Sequence, residues 1–186
     1  MKNGRKLFVT VGTTKFEKLV NRITDVSILN LLVKLGFDFV QIQTGIELLQ
    51  ISIDADLKHT IYKKNDSTTV KFKDGLNLTL KYNRFFEEFD EEIKKADLVI
   101  SHAGAGSCLD VLKHNKPLLV VINEDLMDNH QSELAEQLQK NGHLYYCTVD
   151  NLEDGLTRDF TALKTYPTAD KNLFARYLDK CCGFLN

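Results

Sequence analysis

Two apolar runs near the middle of the sequence, separated by a helical pattern, constrain the fold most. Residues 98–101 and 117–122 have the composition of buried β-strands, and residues 107–114 between them have helical spacing. A second helical pattern at 129–141 leads to a third apolar run at 144–147. Strands that alternate with helices of this length predict a parallel sheet with crossover helices.

The first 42 residues repeat this alternation. The apolar run 7–11 predicts a strand that ends at Gly12, and residues 37–42 predict the next strand. Between them, Thr14 and Glu17 form a T-x-x-E capping box, which predicts a helix start, and the helical pattern resumes at 28 and runs to 35. The expected fold class is therefore α/β, with a doubly wound, Rossmann-like parallel sheet.

The segment between residues 46 and 95 departs from that rhythm. Residues 46–53 fit a helix or a strand, and the polar residues 58–69 suggest a loop. Residues 70–80 alternate on both sides of Asp74-Gly75, which predicts a small hairpin insertion. Acidic residues precede basic ones in 87–95, so we expect a solvated helix with pairs Asp90–Lys94 and Glu91–Lys95.

Composition excludes several classes of function. The 24 basic and 26 acidic residues nearly cancel, so neither a nucleic-acid partner nor an anionic membrane surface is expected. The four cysteines lack metal-ligand spacing, which is typical of reduced thiols in the cytosol. The apolar run 7–11 is too short for a signal peptide core or a membrane span. We therefore expect a soluble cytosolic protein.

Three strand ends carry residues suited to a ligand, because open α/β sheets bind ligands beyond the carboxyl ends of their strands. The first is Gly12-Thr13-Thr14, where glycine permits close backbone approach and the following helix start offers free N–H groups to an anion. A tight turn with a helix cap explains the same residues equally well.

The second strand end is a run of small residues, Gly104-Ala105-Gly106-Ser107. No bulky side chain in this run would keep a phosphate from the helix start that follows. A small-residue turn before a helix therefore predicts a phosphate site.

Two side chains beside that run have alternative interpretations. Ser107 and Asp110 form a second capping box, yet Asp110 could instead bind the hydroxyls of a ribose. His102 could donate to a phosphate or bind a backbone carbonyl, and the sequence leaves both open.

The third strand end is Asp128-Asn129-His130-Gln131. Asp128 and Gln131 fit a helix cap, but four consecutive hydrogen-bonding side chains also suit a sugar. Together the three strand ends favour a nucleotide-sugar site. A competing D-x-D motif, Asp54-Ala55-Asp56, could hold a divalent metal, although so short a match is common by chance.

Long motifs carry a family resemblance. Residues 98–138, LVISHAGAGSCLDVLKHNKPLLVVINEDLMDNHQSELAEQL, resemble the signature of the glycosyltransferase family 28 C-terminal domain. The opening LFVTVGTTKFEKLV and the LKTYP before the last helical pattern are similar to catalytic subunits of two-subunit transferases in this family. The resemblance implies a single nucleotide-sugar-binding half of a GT-B enzyme, with UDP-N-acetylglucosamine (UDP-GlcNAc) as donor substrate.

The resemblance also implies roles for individual residues. Those expected to face the diphosphate are Gly12, Thr13, Thr14, Gly104, Ala105, Gly106 and Ser107. The backbone near Phe86 would read uracil, and Asp110 would bind the ribose. Those expected to hold the sugar are Asn129, His130 and Gln131. The catalytic base is unassigned, with His102 and His130 as candidates, and no metal or other cofactor is expected.

The implied reaction is inverting transfer of GlcNAc to dolichol-diphosphate-GlcNAc. Residues 1–165 would form the nucleotide-sugar-binding domain, and 166–186 a C-terminal helix that docks on a partner or packs on its own domain. A membrane-anchored subunit would bind the lipid-linked acceptor and recruit the chain from the cytosol to the cytoplasmic face of the endoplasmic reticulum. The alternative function is a non-enzymatic nucleotide-sugar-binding or regulatory module.

Overall fold

A computed structural model describes residues 4–46, 51–124 and 129–167, with only the backbone described for 129–132. The predicted C-terminal helix at 170–184 and Asp128 lie outside the described residues.

Strands and helices alternate along most of the described chain. The strands are β1 (Arg5–Thr10), β2 (Phe37–Gln43), β3 (His59–Lys64), β4 (Ser67–Phe72), β5 (Thr79–Asn83), β6 (Leu98–His102), β7 (Leu118–Ile122) and β8 (Tyr145–Thr148). The helices are α1 (Glu17–Thr24), α2 (Val26–Lys34), α3 (Phe89–Lys95), α4 (Ala105–Lys113), α5 (Asn129–Lys140) and α6 (Leu152–Leu156), followed by a 3₁₀ turn at Phe160–Ala162.

All eight strands form one sheet in the order β3-β4-β5-β2-β1-β6-β7-β8. From β5 to β8 every neighbouring pair is parallel, while β4 pairs antiparallel with both β3 and β5. The parallel part has the Rossmann strand order 3-2-1-4-5-6. The order in which successive strands are added changes from one side of β1 to the other at the neighbouring pair β1 and β6. The predicted doubly wound α/β fold is confirmed.

Alternating side chains of β1 supply both faces of the sheet. Leu7 and Val9 enter a large apolar cluster with α1 and α2, while Phe8 enters a second cluster with Ile93 and Val111. Burial on both faces explains why the central parallel strands are continuous apolar runs rather than alternating ones.

The hairpin insertion is larger than the sequence indicates. The predicted hairpin about Asp74-Gly75 is confirmed, since Val70 pairs with Leu80 and both turn residues have positive φ (52° and 105°). The predicted loop over 58–69 is wrong, because β3 and β4 pair there around a turn that includes Asn65 (φ 50°). Strand β3 is an exposed edge strand, so it lacks the burial pattern that identifies a strand. The ambiguous stretch 46–53 contains no helix or strand within its described part.

Local charge and capping predictions are partly wrong. Helix α1 begins at Glu17 rather than at Thr14, with no side-chain cap, so the first capping box does not form. In α3 the ion pairs are Glu91–Lys94 and Glu92–Lys95, three residues apart instead of the predicted four. Every helix within the described residues is too short or too polar to cross a membrane.

Candidate functional site

The candidate site lies where the strand order reverses. Strands β1 and β6 run side by side, with Thr10 beside Ser101, so the turns that follow them emerge together. Parallel α/β sheets bind ligands in the crevice at this position, because the two flanking helices leave in opposite directions.

The first turn is held in a left-handed conformation at Gly12 (φ 60°). The N–H of Gly12 donates to Thr10 Oγ1 (3.1 Å), and the Thr14 hydroxyl donates to the Val11 carbonyl (2.8 Å). From β2, Gln43 Nε2 donates to the Gly12 carbonyl (3.1 Å). The Thr14 hydroxyl is therefore used in a tight turn rather than as a helix cap, and Thr13 remains exposed.

The second turn leads into an open helix start. Helix α4 begins at Ala105, and Gly104 before it provides no side-chain cap. Ala105 and Gly106 are exposed, and a Cβ added at Gly106 would meet nothing within 4 Å. The first turn of α4 is thus exposed and has no side-chain cap, which favours an anion.

The second predicted capping box does not form. Ser107 lies inside the first turn of α4, and Asp110 forms an exposed ion pair with Lys113 (2.9 Å) instead. Because Asp110 is not needed to cap the helix, its carboxylate is available to a ligand at the cost of one surface ion pair, about 0.5 kcal/mol.

His102, the last residue of β6, lies between the two turns. A Cβ on Gly12 would be 2.6 Å from His102 Cε1, and a Cβ on Gly104 would be 2.3 Å from Nε2. Both positions therefore need glycine while this ring occupies the gap. The imidazole thus acts as a spacer that fills the gap between the two turns.

Burial controls the chemistry of this histidine. The ring is 8% exposed, and desolvation lowers the pKa of His102, with the Thr10 carbonyl acting in the opposite direction. Nδ1 is buried and has no hydrogen-bond partner of good geometry among the described residues. The structure therefore favours a neutral imidazole at physiological pH.

We expect this burial to make folding stability depend on acid pH. Because the folded pKa of His102 lies below its ordinary value of 6.5, the unfolded chain binds the proton more readily. The contribution of His102 to the free energy of unfolding is complete above pH 6.5 and falls as the pH drops below 6.5. The loss is at most about 1.4 kcal/mol per pH unit.

Thermal melting of the wild type and of His102→Asn, each measured at several pH values between 7.5 and 5, tests this effect. The wild type should lose more stability on acidification than the variant. Parallel melting curves across this range would contradict a buried neutral imidazole.

Phe86, near which uracil recognition was predicted, packs into the second apolar cluster. Its ring meets Phe8 edge to face (centroids 5.9 Å apart), and Lys81 Nζ lies 5.7 Å from its centroid. The ring is thus engaged in packing, while the role of the nearby backbone stays a prediction.

The predicted sugar contacts are only partly within the described structure. Asn129, His130 and Gln131 begin α5 beyond the carboxyl end of β7, but their side chains are not described. Their role in sugar binding stays a prediction.

Beside the ends of β7 and β8 lies a cavity of about 370 Å³ whose lining includes Phe16 and Glu124.

Gly45 supports the first turn, and sequence reasoning did not identify it. It follows β2 with φ 79°, and a Cβ there would lie 2.4 Å from the Thr14 carbonyl oxygen and 3.3 Å from that of Gly12. The available signal was a glycine three residues after the predicted strand 37–42, since glycine near a strand end often marks close backbone approach.

The D-x-D motif has a local structural role. Asp54 Oδ1 accepts a hydrogen bond from the Asp56 N–H (2.9 Å), which closes a turn. Within residues 4–46, 51–124 and 129–167, no three His, Cys, Asp or Glu side chains cluster so as to hold a metal ion.

The sheet order and the two turns define a Rossmann-type α/β domain. The sequence profile of the glycosyltransferase family 28 C-terminal domain matches residues 6–180. The chain belongs to this family.

Related proteins cover most of the chain. A mouse protein (Mus musculus) named UDP-N-acetylglucosamine transferase subunit ALG13 is 43% identical over 144 residues, or 77% of this chain. This chain spans only 11% of the mouse protein's length. A protein of the same name from Cryptococcus neoformans is 33% identical over 196 residues, and the match covers 96% of each chain.

Two solved structures share the fold. An NMR solution structure of ALG13 matches with a TM-score of 0.68 at 29% identity, covering 95% of this chain and 96% of that one. The crystal structure of Acinetobacter baumannii MurG matches with a TM-score of 0.59 at 18% identity, covering 88% of this chain but 44% of that one. The protein thus has the fold of a single Rossmann-like half of a GT-B glycosyltransferase.

Proposed function

We propose that the chain is the nucleotide-sugar-binding catalytic subunit of an inverting N-acetylglucosaminyltransferase. It would transfer GlcNAc from UDP-GlcNAc to dolichol-diphosphate-GlcNAc, the second step in assembly of the N-glycan precursor. Support comes from the family assignment and from relatives named as UDP-N-acetylglucosamine transferase subunits.

One structural observation carries the proposal. The uncapped amino terminus of α4 opens next to the Gly12 turn, and no side chain blocks Gly106. Backbone N–H groups and the helix dipole at such a terminus attract a phosphate. A diphosphate placed there would extend towards α5, whose first residues are the predicted sugar contacts.

The reaction needs this charge stabilisation most as UDP leaves. The acceptor hydroxyl oxygen attacks the anomeric carbon from the side opposite to the phosphate. As the new C–O bond forms, the bond to the β-phosphate oxygen breaks, and its electron pair leaves on UDP. Preorganised N–H donors at the α4 terminus would stabilise this growing charge, and no metal is required in this scheme.

A base must accept the proton of the attacking hydroxyl. His102 is a weak candidate, since it is buried between two turns and burial lowers its pKa. We therefore give His102 a positioning role and leave the base to His130 or to a residue of the partner subunit.

A partner would complete the enzyme. GT-B enzymes bind their acceptor between two domains, and this chain has the fold of one such domain. We assign acceptor binding and recruitment to the cytoplasmic face of the endoplasmic reticulum to a membrane-anchored subunit. Residues 166–186 are the proposed docking element.

The transfer itself can be tested by capture and reconstitution. The tagged full-length chain would be used to capture partners from detergent-solubilised microsomes, and GlcNAc extension of the lipid-linked acceptor would be measured. We expect UDP binding by the chain alone and transfer only with the captured membrane fraction. Transfer by the chain alone would contradict the need for a partner. UDP binding without transfer in every fraction would favour a binding or regulatory module.

Asp110→Ala tests the predicted ribose contact. Because this carboxylate makes only an exposed ion pair with Lys113, stability should change by less than about 0.5 kcal/mol. Loss of a charge-assisted hydrogen bond to ribose should weaken UDP binding by about tenfold. Calorimetric titrations with UDP and with inorganic diphosphate separate the two effects, and Lys113→Ala serves as control. Equal losses for both ligands would contradict a ribose contact.

A further inference from the structure

One face of the sheet is uncovered near β3, β4 and β5. Val70 and Leu80 on the opposite face enter the large apolar cluster. On the uncovered face, Tyr62 is 54% exposed and Lys71 is exposed, so no helix among the described residues shields them.

The register places basic side chains across this face. Across the three neighbouring strands, Tyr62 pairs with Thr69, and Thr69 pairs with Lys81. In the next row of paired residues on the same face, Lys71 pairs with Thr79. Side chains paired in register share a face. We define the basic sheet face as Lys6, Phe39, Tyr62, Lys64, Lys71 and Lys81.

Three of these four lysines, Lys6, Lys71 and Lys81, lie near aromatic rings. Lys71 lies 5.6 Å from the centroid of Tyr62, and Lys6 lies 6.0 Å from that of Phe39. Across the part of the chain that the structure describes, no ion pair is formed by any lysine of the basic sheet face. Lysines on other surfaces are often paired, for example Lys140 with Glu136. The four lysine side chains of this face are therefore not neutralised by ion pairs within the described residues.

Charge is also distributed unevenly along the chain. Residues 57–83 contain six lysines and two aspartates, although the whole chain has a formal net charge of −2. A local positive surface on a weakly acidic protein attracts anionic partners over about one Debye length, roughly 8 Å at physiological salt.

We propose that the basic sheet face contacts the anionic phospholipid headgroups of a membrane surface. The face is a sheet surface with single charges on flexible stems and hydroxyl groups between them, and it carries an exposed tyrosine. Stable protein interfaces instead have a desolvated apolar centre depleted of lysine. Lysine clusters are attracted to anionic lipids, and tyrosine is favoured at the membrane–water interface.

A cavity of about 230 Å³ at the border with α3 offers space for one headgroup phosphate. Its lining includes Lys6, Lys81 and Lys95. The carboxylate of Glu92 in this cavity already accepts from Gln41 Nε2 (2.7 Å) and Lys95 Nζ (3.1 Å). The remaining lysine charge is thus available to an anion.

Vesicle sedimentation tests the proposal with the full-length chain. We expect binding to phosphatidylcholine vesicles that contain phosphatidylserine, little binding to phosphatidylcholine alone, and release by high salt. Each lysine near an anionic surface contributes about fivefold to partitioning. The variant with Lys6, Lys64 and Lys71 all changed to Gln should therefore bind at least about tenfold more weakly.

A control variant has the same net charge as this triple variant but loses its lysines from other surfaces. Changing Lys34, Lys140 and Lys164 to Gln removes three exposed lysines from other surfaces and should leave vesicle binding close to wild type. Equal losses in both variants, or no vesicle binding by the wild type, would overturn the proposal. Absent vesicle binding together with a changed melting temperature in the first variant would assign the face to a contact within the chain. UDP titration of the same proteins keeps this result separate from the proposed transferase function.

Discussion

Gly104→Val is expected to abolish measurable UDP binding while the sheet remains folded. Even a Cβ at this position would lie 2.3 Å from His102 Nε2. The ring has little room to move away, because Gly12 lies on its other side. The branched side chain must therefore displace the imidazole and enter the space in front of α4.

The expected loss is at least about 100-fold in the dissociation constant, or roughly 2.7 kcal/mol. Overpacking should cost stability by only about 1–3 kcal/mol, because Gly104 lies at the exposed end of the sheet. Calorimetric titration with UDP measures the first effect, and thermal melting by circular dichroism measures the second. Unchanged UDP affinity in a folded variant would contradict the proposed diphosphate position.

Gly106→Ala is the control for folding, since a Cβ there meets nothing within 4 Å. This helical position should gain about 0.5–1 kcal/mol of stability from the replacement of glycine. A second comparison isolates the internal clash. Gly104→Ala adds only the Cβ that meets the imidazole, so a second change in the same chain, His102→Ala, should partly restore its UDP binding.

The parallel core could be predicted from sequence because strands that are buried on both faces consist of continuous apolar residues. The run at Leu118–Ile122 is an example, and its structural bounds match the prediction within a residue. The edge strand β3 could not be predicted in the same way. Ile61 and Tyr62 are its only large apolar residues and both are exposed, so no burial pattern marks the strand.

Both capping motifs failed because the helices begin at other residues. Thr14 matches a helix cap in sequence, but its hydroxyl closes the turn after β1 by donating to Val11. Ser107 matches equally well, yet α4 begins two residues earlier at Ala105. A four-residue motif records local preference only, and the meeting of two strand ends decides where each helix begins.

The candidate site was predictable in its parts but not in its assembly. The small residues from Gly104 to Gly106 indicated an open helix start without any structure. The spacer role of His102 was not predictable, because it depends on how closely the turns after β1 and β6 approach each other. The same holds for Gly45, whose neighbour Thr14 is 31 residues away in sequence.

Gly45→Ala is expected to destabilise the whole protein and to weaken UDP binding. The added Cβ would lie 2.4 Å from the backbone oxygen of Thr14, and backbone cannot move aside as a side chain can. The positive φ of 79° adds about 1 kcal/mol of strain. Together these should cost roughly 3 kcal/mol, which lowers the melting temperature by about 6–12 °C for a chain of this size.

Gly36→Ala separates the two causes of that loss. Gly36 has a similar φ of 84°, but a Cβ there would meet only Arg5 Cδ, at 3.8 Å. Its cost should therefore be the strain alone, about 1 kcal/mol, with UDP affinity unchanged. The excess loss in Gly45→Ala then measures the contact with Thr14, and weaker UDP binding in that variant alone links this contact to the Gly12 turn. If both variants melted at the same temperature and bound UDP equally, Gly45 would not support the site.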